Sequence, residues 1–424
     1  MYAFLIAFAF LVAVPALSAE ADVGTTPQQG DGPTEKIHRA ALAWIDECLA
    51  KNKTDELVPL AEAIADKLIA GGKFYAAGDP GFCEELDFRA GGFANTTVWT
   101  NQRMTGNDVL ILGLLSQNDK ASRLFPLGVI AQGYGQYTQA LTVIIGSMKW
   151  PQFSRLSEVV DKKRWPAGIY FLDTGAPDAN TFEAAALGQM NTVALATALE
   201  GEIVAAASRK GKTLAMLASI AAPGGEEFDK KLKDKSFVDE PKIEAIPAGK
   251  LAKEYLAQCR KQLAAFLSSG QADKLREAAK RLADCQKRGG VIWTVADGHM
   301  FTRGNQIPGE LTHLYFYGRS WQWDAPKGVK AGDTLLHIGY LDFPKDEVEA
   351  CLKAGTDAVV TTVNPGAPNA AVTWVGTCWE KWDAVVEVPG YPYKILASSG
   401  TVQTPQWYSL MAETVKLLGE PAAK

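Results

Sequence analysis

Carboxylate and imidazole side chains follow two glycine-bearing segments of the sequence. Glu84 and Glu85 come after the GDPG segment at 78–81, and His299 follows a glycine in the second half of the chain. A carboxylate can act as a general base, and an imidazole titrates near neutral pH, so both groups can move protons. Glu310 is a further carboxylate shortly after His299. The sequence therefore predicts His299, Glu85, Glu84 and Glu310 as catalytic candidates.

A structural role stays open for each of these residues. The two glutamates would also suit the start of a helix, where the backbone dipole stabilises carboxylates. A histidine in a loop is commonly a hydrogen-bonded structural residue. The segment LYFYGRSWQWD at 314–324 supplies aromatic rings that could stack on sugar rings, although packing between domains is the favoured interpretation. Arg319 is the residue of this segment that could reach an anionic ligand.

The elements that must position these residues occur twice along the chain. Residues 54–74 and 272–292 share seven identical positions at a constant offset of 218, including a Gly-Gly pair. In each copy an amphipathic helix ends at Gly-Gly and a strand follows. Later landmarks recur in the same order at offsets of 225, 217 and 212, the last pairing Gly188 with Gly400. The sequence therefore predicts an internal repeat.

The repeat predicts the fold class and the domain boundaries. Each copy reads helix, helix, strand, helix, strand, helix, strand, strand, helix, and short apolar strands between helices indicate a parallel sheet covered on both faces. We expect an α/β protein with two three-layer αβα sandwiches related by internal duplication. The first domain is expected at 35–225 and the second at 251–424, joined by a charged, Gly- and Pro-containing connector at 226–250.

The N-terminal segment has the pattern of an export signal. Residues 1–19, MYAFLIAFAFLVAVPALSA, are apolar and uncharged and end in small residues, as a secretory signal peptide does. The run is short for a membrane span, and residues 20–34 read as a flexible tether. We expect a periplasmic or extracellular protein. The alternatives are an uncleaved anchor or a wrongly assigned start.

Composition excludes several function classes. The chain has 424 residues and a formal net charge of −5, so it predicts no basic surface for nucleic acid. The six cysteines form no CxxC motif and the four histidines show no metal-ligand spacing, which argues for buried thiols and against a metal site. No GxGxxG motif follows a strand, and no cofactor is predicted.

Four stretches of the chain resemble one known domain family. IADKLIAGGKFYAAGDPGFCEELDFRAGGF, LDTGAPD and GQMNTVALATALEGEIVAAASRKG in the first copy resemble the opening, the fourth-strand loop and the closing helix of the SIS (sugar isomerase) phosphosugar-binding domain. VADGHM in the second copy resembles the family's Gly-His loop. The resemblance implies a flavodoxin-like sheet of five parallel strands per domain, with phosphosugar sites at the carboxyl ends of the strands.

The resemblance also implies ligand-binding residues. We predict a single composite site in which His299 or residues 310–323 of the second copy complete a pocket of the first. Asn191-Thr192 and Thr401 are expected at the starts of the closing helices, which border the ligand in this family. The predicted ligand-binding residues are Gly78, Gly81, Ser116, Asn118, Asn191, Thr192, Gly298 and Thr401.

Two loops depart from the family pattern. Members that hold a phosphate usually carry a loop of the type S-x-S-G-x-T after the second strand. The corresponding loops are LLSQNDKAS at 114–122, where Asp119 would repel an anion, and IGYLDFPKD at 338–346, which lacks Ser and Thr. We therefore expect an exported protein that binds a sugar derivative with degenerate catalytic and phosphate loops. The alternatives are an active sugar isomerase or lyase and a structural or interaction protein without a ligand, and a homodimer is left open.

Overall fold

The computed structural model describes most of the chain beyond its N-terminal segment. The described residues are 24, 30–51, 53–87, 89–100, 102–115, 139–296, 314–316, 328–339, 341–379 and 381–419.

The first half of the chain forms a five-stranded parallel sheet in the order β2-β1-β3-β4-β5. The strands are short apolar runs, and β1, β3 and β4 are buried along their whole length, as expected for strands covered on both faces. Its elements are α1 (Pro33–Ala50), α2 (Lys53–Ile69), β1 (Phe74–Gly78), α3 (Pro80–Leu86), β2 (Thr96–Val98), β3 (Val109–Gly113), β4 (Leu141–Gly146), α4 (Pro151–Val159), β5 (Ile169–Asp173) and α5 (Phe182–Arg209).

The second half repeats this arrangement. Its parallel sheet has the order β9-β8-β10-β11-β12, which is the order of the first sheet. The elements are α7 (Lys250–Ser268), α8 (Gln271–Lys287), β8 (Ile292–Ala296), β9 (Leu314–Phe316), β10 (Thr334–Ile338), α9 (Lys345–Lys353), β11 (Asp357–Thr362), β12 (Val372–Gly376), β13 (Ala384–Val386), β14 (Ile395–Ala397) and α10 (Ser399–Leu418). Strands β13 and β14 form a separate antiparallel pair.

These sheets confirm the predicted fold class of two αβα units with five parallel strands each. The predicted element string was incomplete, and the antiparallel pair β13–β14 was not part of it. It omitted the edge strands β2 and β9, which are only three residues long. It also placed no helix between the last two strands, which is wrong for the first half, where α4 lies between β4 and β5.

The segment between the halves is folded onto the first half. Strand β6 (Thr213–Leu214) pairs antiparallel with β7 (Phe237–Val238), and helix α6 (Gly225–Leu232) lies between them. Glu202 of α5 then accepts hydrogen bonds from the backbone amides of Gly249 (2.7 Å) and Ala252 (3.0 Å) at the start of α7. This buried carboxylate caps a helix of the other half.

The repeated Gly-Gly pair has the same cause in both halves. A Cβ atom on Gly72 would lie 1.8 Å from the carbonyl oxygen of Asn107, and one on Gly290 would lie 2.3 Å from that of Gly332. Both distances are far below van der Waals contact. The second glycine of each pair is therefore required by the close approach of the chain that leads into the neighbouring strand.

The halves are interleaved through their first and last helices. Helix α1 packs against α10 of the second half, and α7 packs against α5 of the first half. Helices α2 and α5 pack on each other beside the first sheet, as α8 and α10 do beside the second. The apolar core consequently extends from the first sheet into α7 and the β13–β14 pair.

The predicted state of the cysteines can be compared with the structure, whereas the prediction on residues 1–19 lies outside the described residues. All six cysteines are unpaired thiols, five of them buried and Cys378 half-buried, as predicted. Within the described part of the chain, no helix is long and apolar enough to cross a bilayer.

Candidate functional site at the carboxyl ends of the sheets

Part of the predicted composite site lies outside the described residues. This applies to Ser116 and Asn118 of the first copy and to Gly298, His299 and Glu310 of the second. Their assignment as catalytic or ligand-binding residues stays a prediction.

Gly78 and Gly81, predicted as ligand-binding residues that a ligand could reach, lie where β1 ends, but both are buried. Gly78 has a φ of +107°, and a Cβ atom there would lie 2.2 Å from the carbonyl oxygen of Gly113 at the end of β3. The backbone amide of Gly81 donates to Asp79 Oδ1 (2.9 Å), which caps α3. The contact between β1 and β3 therefore explains Gly78 without a ligand.

Aromatic rings fill the space at the carboxyl end of the first sheet, called the first edge from here on, over the glycines that end β3 and β4. The Phe82 ring, which is fully buried, lies against Gly113, where a Cβ atom would come within 2.2 Å of the ring. The Phe153 ring of α4, also fully buried, lies in the same way against Gly146 at the end of β4. Over β3 and β4 the first edge is thus filled by side chains.

Asn191 and Thr192 do not begin the closing helix, and this prediction is wrong. Helix α5 begins at Phe182, and Thr181 caps it by accepting a hydrogen bond from the Ala184 amide (3.1 Å). Residues 182–190, FEAAALGQM, are mostly good helix formers, which explains the earlier start.

The side chains of Asn191 and Thr192 instead hold strand-end loops in place. Thr192 Oγ1 donates to the carbonyl oxygen of Leu114 after β3 (2.9 Å), and Asn191 Nδ2 donates to that of Thr174 after β5 (3.1 Å). Both side chains are buried. They position the loops that would surround a ligand.

The second half has equivalent anchors, which the sequence interpretation missed. Gln403 Nε2 of α10 donates to the carbonyl oxygen of Gly339 after β10 (3.0 Å), and Gln406 Nε2 donates to that of Thr377 after β12 (3.3 Å). The repeat contained the signal, because an offset of 212 places Gln403 opposite Asn191.

Glu85 lies in a buried ion-pair network between the halves. It is the sixth residue of the seven-residue helix α3, with Glu84 beside it, so the alternative of helix-start carboxylates is wrong. Glu85 Oε2 lies 3.4 Å from Arg89 Nη2, and the same nitrogen donates to Asp383 Oδ2 of the second half (2.8 Å). All three side chains are less than a tenth exposed.

Asp383 connects this network to the start of α10. Its carboxylate accepts hydrogen bonds from the Ser399 amide and the Ser399 hydroxyl, both at 2.7 Å. Thr401, predicted as a ligand-binding residue, lies in the first turn of this helix, and its hydroxyl bonds instead to the Tyr255 hydroxyl of α7 (2.7 Å). Glu85 also contacts this turn, since a Cβ atom on Gly400 would lie 2.3 Å from Glu85 Oε2. The structure thus brings the predicted residues Glu85 and Thr401 to one helix start.

Glu200 of α5 is a third acidic residue near Arg89. Burial raises its pKa to about 8, against the lowering effect of the Arg89 charge. Its Oε1 atom is buried and has no hydrogen-bond partner among the described residues. At neutral pH this carboxyl group is therefore mainly protonated.

An exposed carboxylate is held by two backbone amides at the carboxyl end of β5. Asp173, the last residue of β5, accepts hydrogen bonds at Oδ1 from the backbone amides of Met148 (2.8 Å) and Gly175 (2.9 Å). These bonds fix the loops after β4 and β5 against each other, while the residue is exposed to solvent. Asp173 belongs to the LDTGAPD segment that resembles the family's fourth-strand loop, but it is not among the predicted site residues. Such a carboxylate can accept hydrogen bonds from ligand hydroxyl groups.

Metal binding has no support in the part of the chain that the structure describes. No group of three or more His, Cys, Asp or Glu side chains there could hold a metal ion.

Comparison with known proteins supports the fold. No family model matches the sequence, and no curated protein matches it. The C-terminal domain of glucosamine-fructose-6-phosphate aminotransferase from Francisella tularensis is similar in structure, with a TM-score of 0.51, 10% identity, and coverage of 92% of this chain and 96% of that one. Tagatose-6-phosphate ketose/aldose isomerase from Escherichia coli gives a TM-score of 0.52 at 11% identity, covering 94% and 98%. The chain therefore has the SIS fold over both halves.

Proposed function

We propose that this is an exported protein that binds a carbohydrate derivative at the first edge and does not isomerise it. The observation that carries the proposal is Asp173, an exposed carboxylate held by two backbone amides at the carboxyl end of a parallel sheet. Ligands of open parallel sheets bind at this end. The similar solved structures, whose names refer to sugar phosphates, support a sugar derivative as the ligand class.

The position of Glu85 argues against isomerisation. An aldose–ketose isomerase needs a base that reaches the sugar and takes a proton from the carbon next to the carbonyl. The Glu85 side chain is 3% exposed and lies beside the Arg89 guanidinium at the junction of the halves. It stabilises that junction and is not placed to take up a substrate proton. The proposal includes degenerate phosphate loops, on the sequence of residues 114–122 and 338–346.

Calorimetric titration with sugars and their phosphates tests the binding proposal. A ligand is expected to bind, and Asp173→Asn is expected to weaken it about tenfold, as the loss of one hydrogen bond to a charged group does. Asp161→Asn, an exposed aspartate outside this edge, serves as the matched control. Equal affinity of the Asp173 variant would contradict the proposed site. If no sugar binds, the structural or interaction protein becomes the better interpretation.

Export and domain history belong to the same proposal. We infer that residues 1–19 are a signal peptide, that 35–225 and 251–424 arose by duplication, and that no cofactor is used. N-terminal sequencing of protein recovered from the periplasm or medium tests the export. A mature chain that begins near residue 20 is expected, and an intact Met1 on a cytoplasmic protein would contradict it.

A further inference from the structure

The described connection between β11 and β12 lacks the helix that the first half has between β4 and β5. Helix α4 lies between β4 and β5, whereas residues 363–371 between β11 and β12 contain no helix. Pro365 and Pro368 lie in this connection, and each removes a backbone donor that a helix would need.

A cleft of about 400 Å³ runs along α9, beside this connection. Val348, Leu352 and Val372 give it an apolar floor. The Phe343 ring, half-buried, forms one wall, and Gly366 lies so close to it that a Cβ atom there would come within 2.6 Å of the ring. Pockets for small molecules have volumes of about 300–1,000 Å³ and are mainly apolar with a few placed polar groups. The cleft has that character.

The rim of the cleft carries an immobilised carboxylate. Asn364 Nδ2 donates to Asp342 Oδ1 (2.8 Å), and Lys381 forms an ion pair with Asp342 Oδ2. Lys345 and Glu349 also line the cleft, so the lining charges are one cation and two anions. None of the lining residues is Ser, Thr or Arg.

This lining selects against anions and suits a neutral polyol. Asp342 and Glu349 pair with Lys381 and Lys345, so the cleft has no surplus cation for a phosphate, and the hydroxyl groups and guanidinium that normally bind phosphate are missing from the lining. A fixed carboxylate next to an amide can bond neighbouring sugar hydroxyl groups, while the Phe343 ring offers a face for the apolar side of a pyranose. We propose that this cleft is a second binding site, separate from the first edge, for a neutral, unphosphorylated saccharide.

Titration with defined saccharides tests the site. The probes are glucose, N-acetylglucosamine, cellobiose and glucose 6-phosphate, with binding followed by saturation-transfer-difference NMR and calorimetry. The blocking variant is Ala367→Trp, which places a large ring on an exposed position in the cleft. The matched control is Gln152→Trp, an exposed position on α4 in the equivalent connection of the first half.

We expect at least one neutral probe to bind and glucose 6-phosphate to bind at least tenfold more weakly. Ala367→Trp and Asn364→Ala should each raise the Kd of the neutral probe at least tenfold, and Gln152→Trp should leave it unchanged. The proposal is overturned if no neutral probe saturates, if the phosphate binds as well, or if Ala367→Trp leaves the Kd unchanged. If Asp173→Asn raises the Kd of a neutral probe and Ala367→Trp does not, the probe binds at the first edge. That result would overturn the proposal that the cleft is a binding site.

Discussion

The two sheets have the same strand order, but different side chains and connections lie above the carboxyl ends of their strands. In the first half, Phe82 and Phe153 fill the space above the strand-end glycines Gly113 and Gly146. In the second half no helix lies between β11 and β12, and an open cleft lies beside Phe343. The difference teaches that two sheets with the same strand order can carry different surfaces at their carboxyl ends. Such a surface depends on the connections above the sheet, which can change while the sheet does not.

In both halves, the closing helix anchors the loops at the carboxyl end of the sheet. Thr192 and Asn191 of α5 bond the loops after β3 and β5, and Gln403 and Gln406 of α10 bond the loops after β10 and β12. A buried carbonyl group without a partner is costly, so each half supplies side-chain donors to its strand-end loops.

The largest expected effect is at the junction of the halves. Arg89→Met removes the cation that pairs with Glu85 and Asp383 and leaves their carboxylates buried. We expect a loss of about 3–5 kcal/mol in the free energy of unfolding, as when one partner of a buried ion pair is removed. Urea unfolding measures it, with Lys230→Met, at an exposed ion pair, as the control. A loss below about 1 kcal/mol would mean that the network is not important for stability.

Glu200 should make the junction sensitive to alkaline pH. Its pKa is raised in the folded state to about 8 from an ordinary 4.5, so the folded state holds the proton more tightly than the unfolded state does. The contribution of this proton to the free energy of unfolding is fully present below pH 4.5. It is lost as the pH rises to about 8, which lowers the free energy of unfolding by roughly 3–5 kcal/mol. Glu200→Gln should remove this part of the pH dependence.

Urea unfolding of both proteins at pH 5 and pH 8 measures the effect. The exposed Glu226→Gln serves as the control and should follow the wild type. Parallel pH dependence of the wild type and Glu200→Gln would contradict the assignment.

Two glycine substitutions test the difference between filled and open edges. Gly113→Ala drives a methyl group into the fully buried Phe82 ring, and overpacking of this kind costs about 1–3 kcal/mol. Gly366→Ala meets the Phe343 ring, which is half-buried beside the cleft and can move into it. We expect the cost at Gly366 to be the smaller of the two in thermal unfolding. A larger cost at Gly366 would show that the cleft is not open.

The loop anchors should have smaller and similar effects. Thr192→Val and Gln403→Met each leave one buried strand-end carbonyl oxygen without its partner, and each should cost about 1–2 kcal/mol in urea unfolding. Thr192 fixes the loop after β3 at the carboxyl end of the first sheet. Its variant should therefore also weaken the binding of a ligand that contacts Asp173. Gln403→Met should not. Equal weakening by both variants would mean that the ligand does not bind at the first edge.

The sequence predicted the features that depend on local chemistry. The Gly-Gly pairs and the apolar strands could be recognised, because helix ends and buried strands leave short-range patterns, whereas the anchoring role of Asn191, Thr192 and Gln403 was missed. The junction could not be recognised. Arg89 and Asp383 are 294 residues apart, and their pairing follows only from the way in which the halves pack. The start of α5 could not be predicted from residues 182–190. The glycine in that stretch suggests a helix boundary, but it lies inside the helix.

The central claim is that the protein binds a sugar without removing a proton from it. The direct test is NMR of a bound aldose in D₂O, because an isomerase that forms an enediol exchanges the hydrogen on C2 with solvent. We expect binding to be detectable and the C2 hydrogen to be retained during prolonged incubation. Deuterium incorporation at C2 by the wild type, lost in Glu85→Gln, would contradict the account and make Glu85 the base of an active isomerase.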